Sequence, residues 1–351
     1  STGSNNTSLG AFALDANTFS SNIPAVGYGS LSGNTTGANN TAVGAASLNT
    51  NTTGADNTAV GLNAAQVNTT GYHLVAIGRN ALAGNTEGYQ NIAIGRACME
   101  ANTTGNNNTA IGQHALLTNT TGDQNVAVGS NALVNNTTGN DSVAIGFNAL
   151  GANTTNGFKV AIGPHCAELD TAAGATVAIG NNCLKTNVSG VNNTGVGAQA
   201  LMLNTGSNNT GVGLNALRNN SSANNNTAFG NCALQENTDG TGNVAVGSVA
   251  LDANTTGSAN VAVGYFALTD LTTGGNNTAI GNAAAQNCTT ASSIVAVGSA
   301  ALDANSTGSN NVAVGKSALQ NNTTAPNNTA VGNDALKNNT TGERNVAVGA
   351  T

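Results

Sequence analysis

Charge is scarce in this chain: 8 Lys and Arg and 15 Asp and Glu among 351 residues leave a net charge of −7. No basic stripe exists to follow a phosphate backbone, so a nucleic-acid partner is not expected. Tryptophan is absent and aromatics make up 3 % of the sequence. A thick globular core cannot be filled without large side chains, whereas a thin one lined by Val, Ile, Leu and Ala can. No apolar run reaches the roughly eighteen residues that a membrane-spanning helix needs. Neither a signal peptide nor a lipidation motif is visible, and membrane insertion by this segment is not expected. The five cysteines are an odd number without CxxC spacing, which argues against a disulfide framework or a zinc site.

What the chain has instead is a period. A short apolar segment ending in glycine, as in Thr41-Ala42-Val43-Gly44 and Val75-Ala76-Ile77-Gly78, recurs from Gly10 to Gly349 in twenty-one copies. Nineteen of the twenty spacings are 17 residues, and one, from Gly197 to Gly213, is 16. Phasing this regular implies stacked rungs, each touching mainly its neighbours. The expected fold is all-β: a parallel β-solenoid of about 21 rungs, residues 1–351 forming a single elongated domain. At about 4.8 Å per rung the stack would be a rod of roughly 100 Å.

Positions within a rung are counted here from the marker glycine as zero. Position −1 is Val or Ile in nineteen of twenty-one rungs, position −2 is Ala in eighteen, and position −3 is Thr, Val or Ile in twenty. These residue types suit a strand, whose side chains alternate between two faces. The large residues would share one face, against the chain's own rung. The alanines would line the other, where something approaches closely: a neighbouring subunit, or a second wall of the same coil. Downstream, Ala-Leu at positions 3 and 4, as in Ala81-Leu82, reads as a second short strand or an extended corner. Asn-Thr-Thr-Gly then follows, as at Asn34–Gly37, with the residues of a type I β-turn. Asparagines at position 7 and before the strand, such as Asn40 and Asn57, would stack into ladders that satisfy buried polar groups. Irregularities between about 156 and 225, where Asn156 adds a residue before Gly157 and the 16-residue spacing falls, read as local adjustments. Polar terminal caps of the kind solenoids need are not evident, so the chain is expected to be a fragment of a longer fibre or a subunit that stacks end to end.

Chemistry finds little foothold, and no catalytic, cofactor-binding or metal-binding residue is expected. His114 and His165 share a rung position but lie three rungs apart, about 14 Å at the rung spacing, and His73 stands elsewhere. Asp15, Asp252, Asp303 and Glu168 recur at position 5 on rungs mostly far apart. Cys98, Cys166 and Cys183 occupy position 3, otherwise mainly Ala, and read as small buried residues; Cys166 and Cys183 on successive rungs would stack close enough for a bridge. The Asn-Thr-Thr turns, including Asn34, Asn51, Asn119 and Asn339, spell glycosylation sequons, most simply as a by-product of turn chemistry. Threonines at positions 8 and 9 raise an ice-binding face, but adjacent residues should point in different directions.

The segments Asp141-Ser142-Val143-Ala144-Ile145-Gly146 and Gln90-Asn91-Ile92-Ala93-Ile94-Gly95, with their counterparts along essentially the whole chain, resemble the head repeats of YadA-like trimeric autotransporter adhesins and the related repeats of trimeric phage and viral tail fibres. The unit here is longer, because of the Asn-Thr-Thr-Gly turn, and no neck, stalk or anchor is expected within residues 1–351. The resemblance implies a left-handed β-roll, three chains around one axis and a role in adhesion or as a fibre shaft. The expected function is therefore that of a structural and adhesive fibre protein, extracellular, on a cell surface or a virion, and not an enzyme. Its partners would be its own copies, as a homotrimer or an end-to-end filament, and an unidentified cell-surface glycan or protein receptor. An ice- or carbohydrate-binding module is the alternative from another class.

Overall fold

The structure is a computed structural model and describes residues 3–350. It is a parallel β-solenoid whose rungs follow the 17-residue period. The chain divides into two compact units, Ser1–Ala175 and Thr176–Thr351. The first holds ten strands, from β1 (Thr7–Leu9) and β2 (Pro24–Val26) to β9 (Val143–Ile145) and β10 (Lys159–Ile162). The second holds eleven, from β11 (Thr176–Ile179), β12 (Asn193–Val196) and β13 (Thr210–Val212) to β21 (Val346–Val348). Within each unit successive strands pair in parallel, position for position: Thr7 opposite Pro24, Val143 opposite Val160, Thr329 opposite Val346.

One strand of three or four residues is all the regular structure that a rung contains. The remaining backbone still bonds to the rungs on either side: Leu31 N–H donates to Ser47 O, Thr35 N–H to Thr52 O, and Ala46 N–H to Tyr28 O. Ala-Leu is a corner and not a second strand. Positions 2 and 4 both take positive φ, as at Asn63 (57°) and Leu82 (52°), and this breaks the alternation of faces. Two consecutive residues can then point inward, and Ala81 and Leu82 are both fully buried.

The strand faces are the reverse of the sequence expectation. Ala42, Ala59 and Ala76 are 0 % exposed and form the inner wall. The Val and Ile on either side of them point outward. Of the two partners that the small residues allowed, it is the coil's own opposite wall that approaches. The core is one thin layer of Ala at −2, Ala-Leu at 3 and 4, and asparagine.

Asparagines build two different ladders. At position 7, Asn51 Nδ2 donates to Asn34 Oδ1 of the preceding rung at 2.7 Å and to Gly54 O at 2.9 Å. Asn68 repeats the pattern onto Asn51, so both amide protons and the oxygen are engaged. The Asn-Thr-Thr-Gly turn is thus closed by a side chain, while the Thr52 and Thr53 N–H groups leave for Thr69 O of the next rung. Before the strand, Asn40 Oδ1 accepts the Asn57 backbone N–H at 3.0 Å and its Nδ2 donates to Gly54 O at 2.7 Å. Close approach also fixes the glycines. At Gly44 (φ 135°) an added Cβ would lie 2.5 Å from Gly61 O, contact that no side chain tolerates.

Both irregular rungs keep register. Asn156 adds nothing to the rung; it takes the place of the turn glycine, and Asn153 Nδ2 donates to its carbonyl at 2.9 Å. The 16-residue rung drops a residue from the turn, where Asn204 Nδ2 reaches Gly206 O, and β12 still pairs with β13 through Thr194 opposite Thr210.

Candidate functional site

Reversing the strand places the chain's most continuous apolar feature outside. In the first unit Val43, Ile77, Ile111, Ile145 and Ile162 are 36 to 39 % exposed, and in the second Ile179, Phe229, Val246, Ile280 and Val331 are 36 to 44 % exposed. Each occupies position −1, so parallel pairing in register draws each unit's set into one ribbon. Half-buried Thr, Val and Ile at position −3 run beside it. In other proteins contiguous apolar surface of this kind is common at contact faces.

The Thr-Thr turn offers a different surface. Position 8 is half-buried, and its hydroxyl is committed to the next rung's carbonyl, as from Thr35 to Thr52 O at 3.0 Å and from Thr255 to Thr272 O at 3.0 Å. Position 9 is exposed. The two columns point differently, so they do not make one flat double rank of hydroxyls. The turn sequons are closed as well: Asn34, Asn51 and Asn119 are 0 % exposed with their amide nitrogens bonded, and Asn339 is half-buried in the same pattern. An attached glycan would have to displace the ladder.

Ionisable side chains are dispersed. His73 lies 3.6 Å from Asp56, and His165 3.1 Å from Glu168 with its ring edge-on to Phe147; His114 is half-buried on its own rung. Among the described residues no three His, Cys, Asp or Glu side chains gather to hold a metal ion. Asp252 carries a carboxyl pushed up to about 6 by burial, then by the Glu236 charge; burial raises Asp303 too. Asp15, half-way along the first rung, is exposed. A groove of about 240 Å³ includes Asn135, Asn148, Gly151 and Glu168, but its polar groups are turned on one another: Asn135 Nδ2 donates to Gly151 O and Asn148 Nδ2 to Glu168 Oε1. Cys98, Cys166, Cys183 and Cys288 are buried, and Cys232 is half-buried. Burial pushes the Cys98 thiol up to about 12 and the Cys288 thiol up to about 11, far from the thiolate form that reacts.

Two constellations escaped the sequence reading. The first is an ion pair inside the core: Lys159 Nζ lies 2.8 Å from Asp170 Oδ1, both side chains 0 % exposed. Lys159 stands in the pre-strand asparagine column and Asp170 in the position-7 column of the same rung. The simultaneous departure of both columns was the available signal. Asp170 has no N–H to offer Asn153, whose buried Oδ1 is left without a partner, as is that of Asn254 where the next rung carries Leu271. The second is Tyr72 over Tyr89, 17 residues apart, their rings 5.0 Å between centroids and 3° from parallel. Among known proteins, no family model matches the chain, and no curated relative does.

Proposed function

We propose that the chain is a structural and adhesive fibre protein, a stiff β-solenoid segment of an extracellular fibre on a cell surface or a virion. Copies of it pack side by side through the outer faces of their strands, three to an assembly as the resemblance of its repeats implies. The observation that carries this reading is the outward ribbon of Val and Ile at position −1, apolar and register-matched from rung to rung. A neighbouring copy with the same ribbon removes it from water at about 25 cal/mol for each Å² covered. Stiffness follows from the bonding between rungs at strand, corner and turn, supplemented by the asparagine columns. The Asn- and Thr-rich flanks are hydrated and nearly uncharged, a surface suited to weak contact with cell-surface glycans.

Light scattering over a concentration series tests the packing. Three chain masses, independent of dilution, are expected. A single-chain mass at all concentrations would overturn the side-by-side fibre, and unlimited growth would replace it with an end-to-end filament.

A further inference from the structure

Ring stacking between Tyr72 and Tyr89 serves no part of the core: Tyr72 is 41 % exposed and Tyr89 half-buried. Both stand two residues before a pre-strand ladder position, in a column that elsewhere carries mostly small or polar residues such as Ala38, Ala55, Asn106, Asp123 and Asn140. The column's usual work is to cap the neighbouring rung. Asn106 Oδ1 accepts the Tyr89 N–H at 2.9 Å, and Asn140 Oδ1 accepts the Asp123 N–H at 2.7 Å. A tyrosine at position 89 cannot do the same for Tyr72. On the side away from Tyr89 the column continues as Ala55 and Ala38, so no further large side chain extends the stack there.

What surrounds the rings is acidic and polar. His73 packs edge-on against Tyr72 at 5.0 Å, and its Nε2 lies 3.6 Å from Asp56 Oδ2. Asp56 accepts from Asn39 through Oδ1, which leaves Oδ2 toward the histidine and solvent. Glu87 and Asp123 stand in the same run of turns, and Arg79 and Arg96 belong instead to the position after the marker glycine. Other ring pairs among the described residues differ: Phe12 meets Tyr28 and Phe147 meets His165 edge-on, and Tyr265 is tilted by 50° to Phe266. A flat aromatic face beside carboxylate and amide groups matches a pyranose ring, which has an apolar C–H face and a rim of hydroxyl donors.

We propose that Tyr72, backed by Tyr89 and flanked by Asp56 and His73, is a stacking site for a neutral hexopyranose unit of a glycan. It rests on the glycan-contact part of the function proposed above and gives that contact an address. The sugar's C–H face packs on Tyr72 over the Ala55 turn, and its hydroxyls donate to the Asp56 carboxylate. The local carboxylates disfavour acidic sugars.

Saturation-transfer NMR on the full chain, with lactose, cellobiose, diacetylchitobiose and sialyllactose as separate probes and the aromatic protons irradiated, tests it. Transfer to pyranose C–H protons of at least one neutral disaccharide is expected, falling threefold or more in Tyr72→Ala and unchanged in Tyr265→Ala. Alanine is the native residue of this column in the two preceding rungs, and an unaltered circular-dichroism melt confirms that the variant folds. Transfer that survives Tyr72→Ala would overturn the site while leaving glycan contact standing. No transfer from any probe would overturn both, and a signal confined to sialyllactose would overturn the preference for neutral sugars.

Discussion

Val249 is a β-branched residue held at φ 60°, a backbone region that costs an L-residue about 1–2 kcal/mol. The same rung position carries Asn63, Asn80, Asn131 and Asn215, all with positive φ, and asparagine tolerates that region far better. Val249→Asn is expected to stabilise the protein by about 1 kcal/mol, read from the shift of a urea-unfolding midpoint at unchanged slope. Asparagine at positions 2 and 12 was a legible sign of left-handed backbone. Leucine at position 4 was not: Leu48, Leu133 and Leu302 take φ of 48°, 50° and 54° because the corner forces them, against their own preference. Asp252 makes a second residue-scale case. Burial and then Glu236 raise its carboxyl to about 6 from an ordinary 3.8. The folded chain therefore holds a proton between pH 4 and 6 that the unfolded chain has released, and stability falls as pH rises through that window. Asp252→Asn is expected to raise the melting temperature at pH 7, leave it nearly unchanged at pH 3.5, and flatten the decline between.

At the scale of elements, the asparagine columns dominate. Where the rung of Gly163 departs from them it departs twice, and the Lys159–Asp170 pair is the replacement. Removing one member leaves the other charged and buried, so Lys159→Asn and Asp170→Asn are each expected to cost about 3–5 kcal/mol. The double variant restores the residue of both columns and gives Asn153 Oδ1 a donor again. It is expected to match or exceed the parent, with the two losses failing to add in a double-mutant cycle of unfolding measurements. Additive losses would mean that the two groups do not depend on one another. The strands themselves were legible in place, period and pairing direction, since β-branched residues recur every rung. Their orientation was not. Alanine at −2 announces close approach but not by what; only the corner at Ala81-Leu82, folded under the strand, decides that the narrow side is the interior.

For the whole molecule, the proposed packing of copies rests on the outer ribbon. A single lysine in it would have to be desolvated in every copy of a packed assembly, a cost of several kcal/mol per charge. Ile145→Lys, at a site 37 % exposed in the single chain, is expected to return a single-chain mass by light scattering with the melt of the isolated fold little changed. A full assembly from that variant would move the contact away from the ribbon. The sequence reading left either a neighbouring subunit or the coil's own second wall beside the alanines, because alternation alone ranks two faces without saying which is enclosed.

Register held through the 16-residue rung, where Thr194 still lies opposite Thr210, has a consequence for the gene. One rung of 17 residues corresponds to a coding block of about 51 nucleotides, three per residue, and neighbouring blocks spell nearly the same structure. Unequal recombination that gains or loses a block joins one rung to the next without a scar in the coil. A chain with one 17-residue block deleted or duplicated is therefore expected to fold as the same coil one rung shorter or longer, with core and surface otherwise as they are.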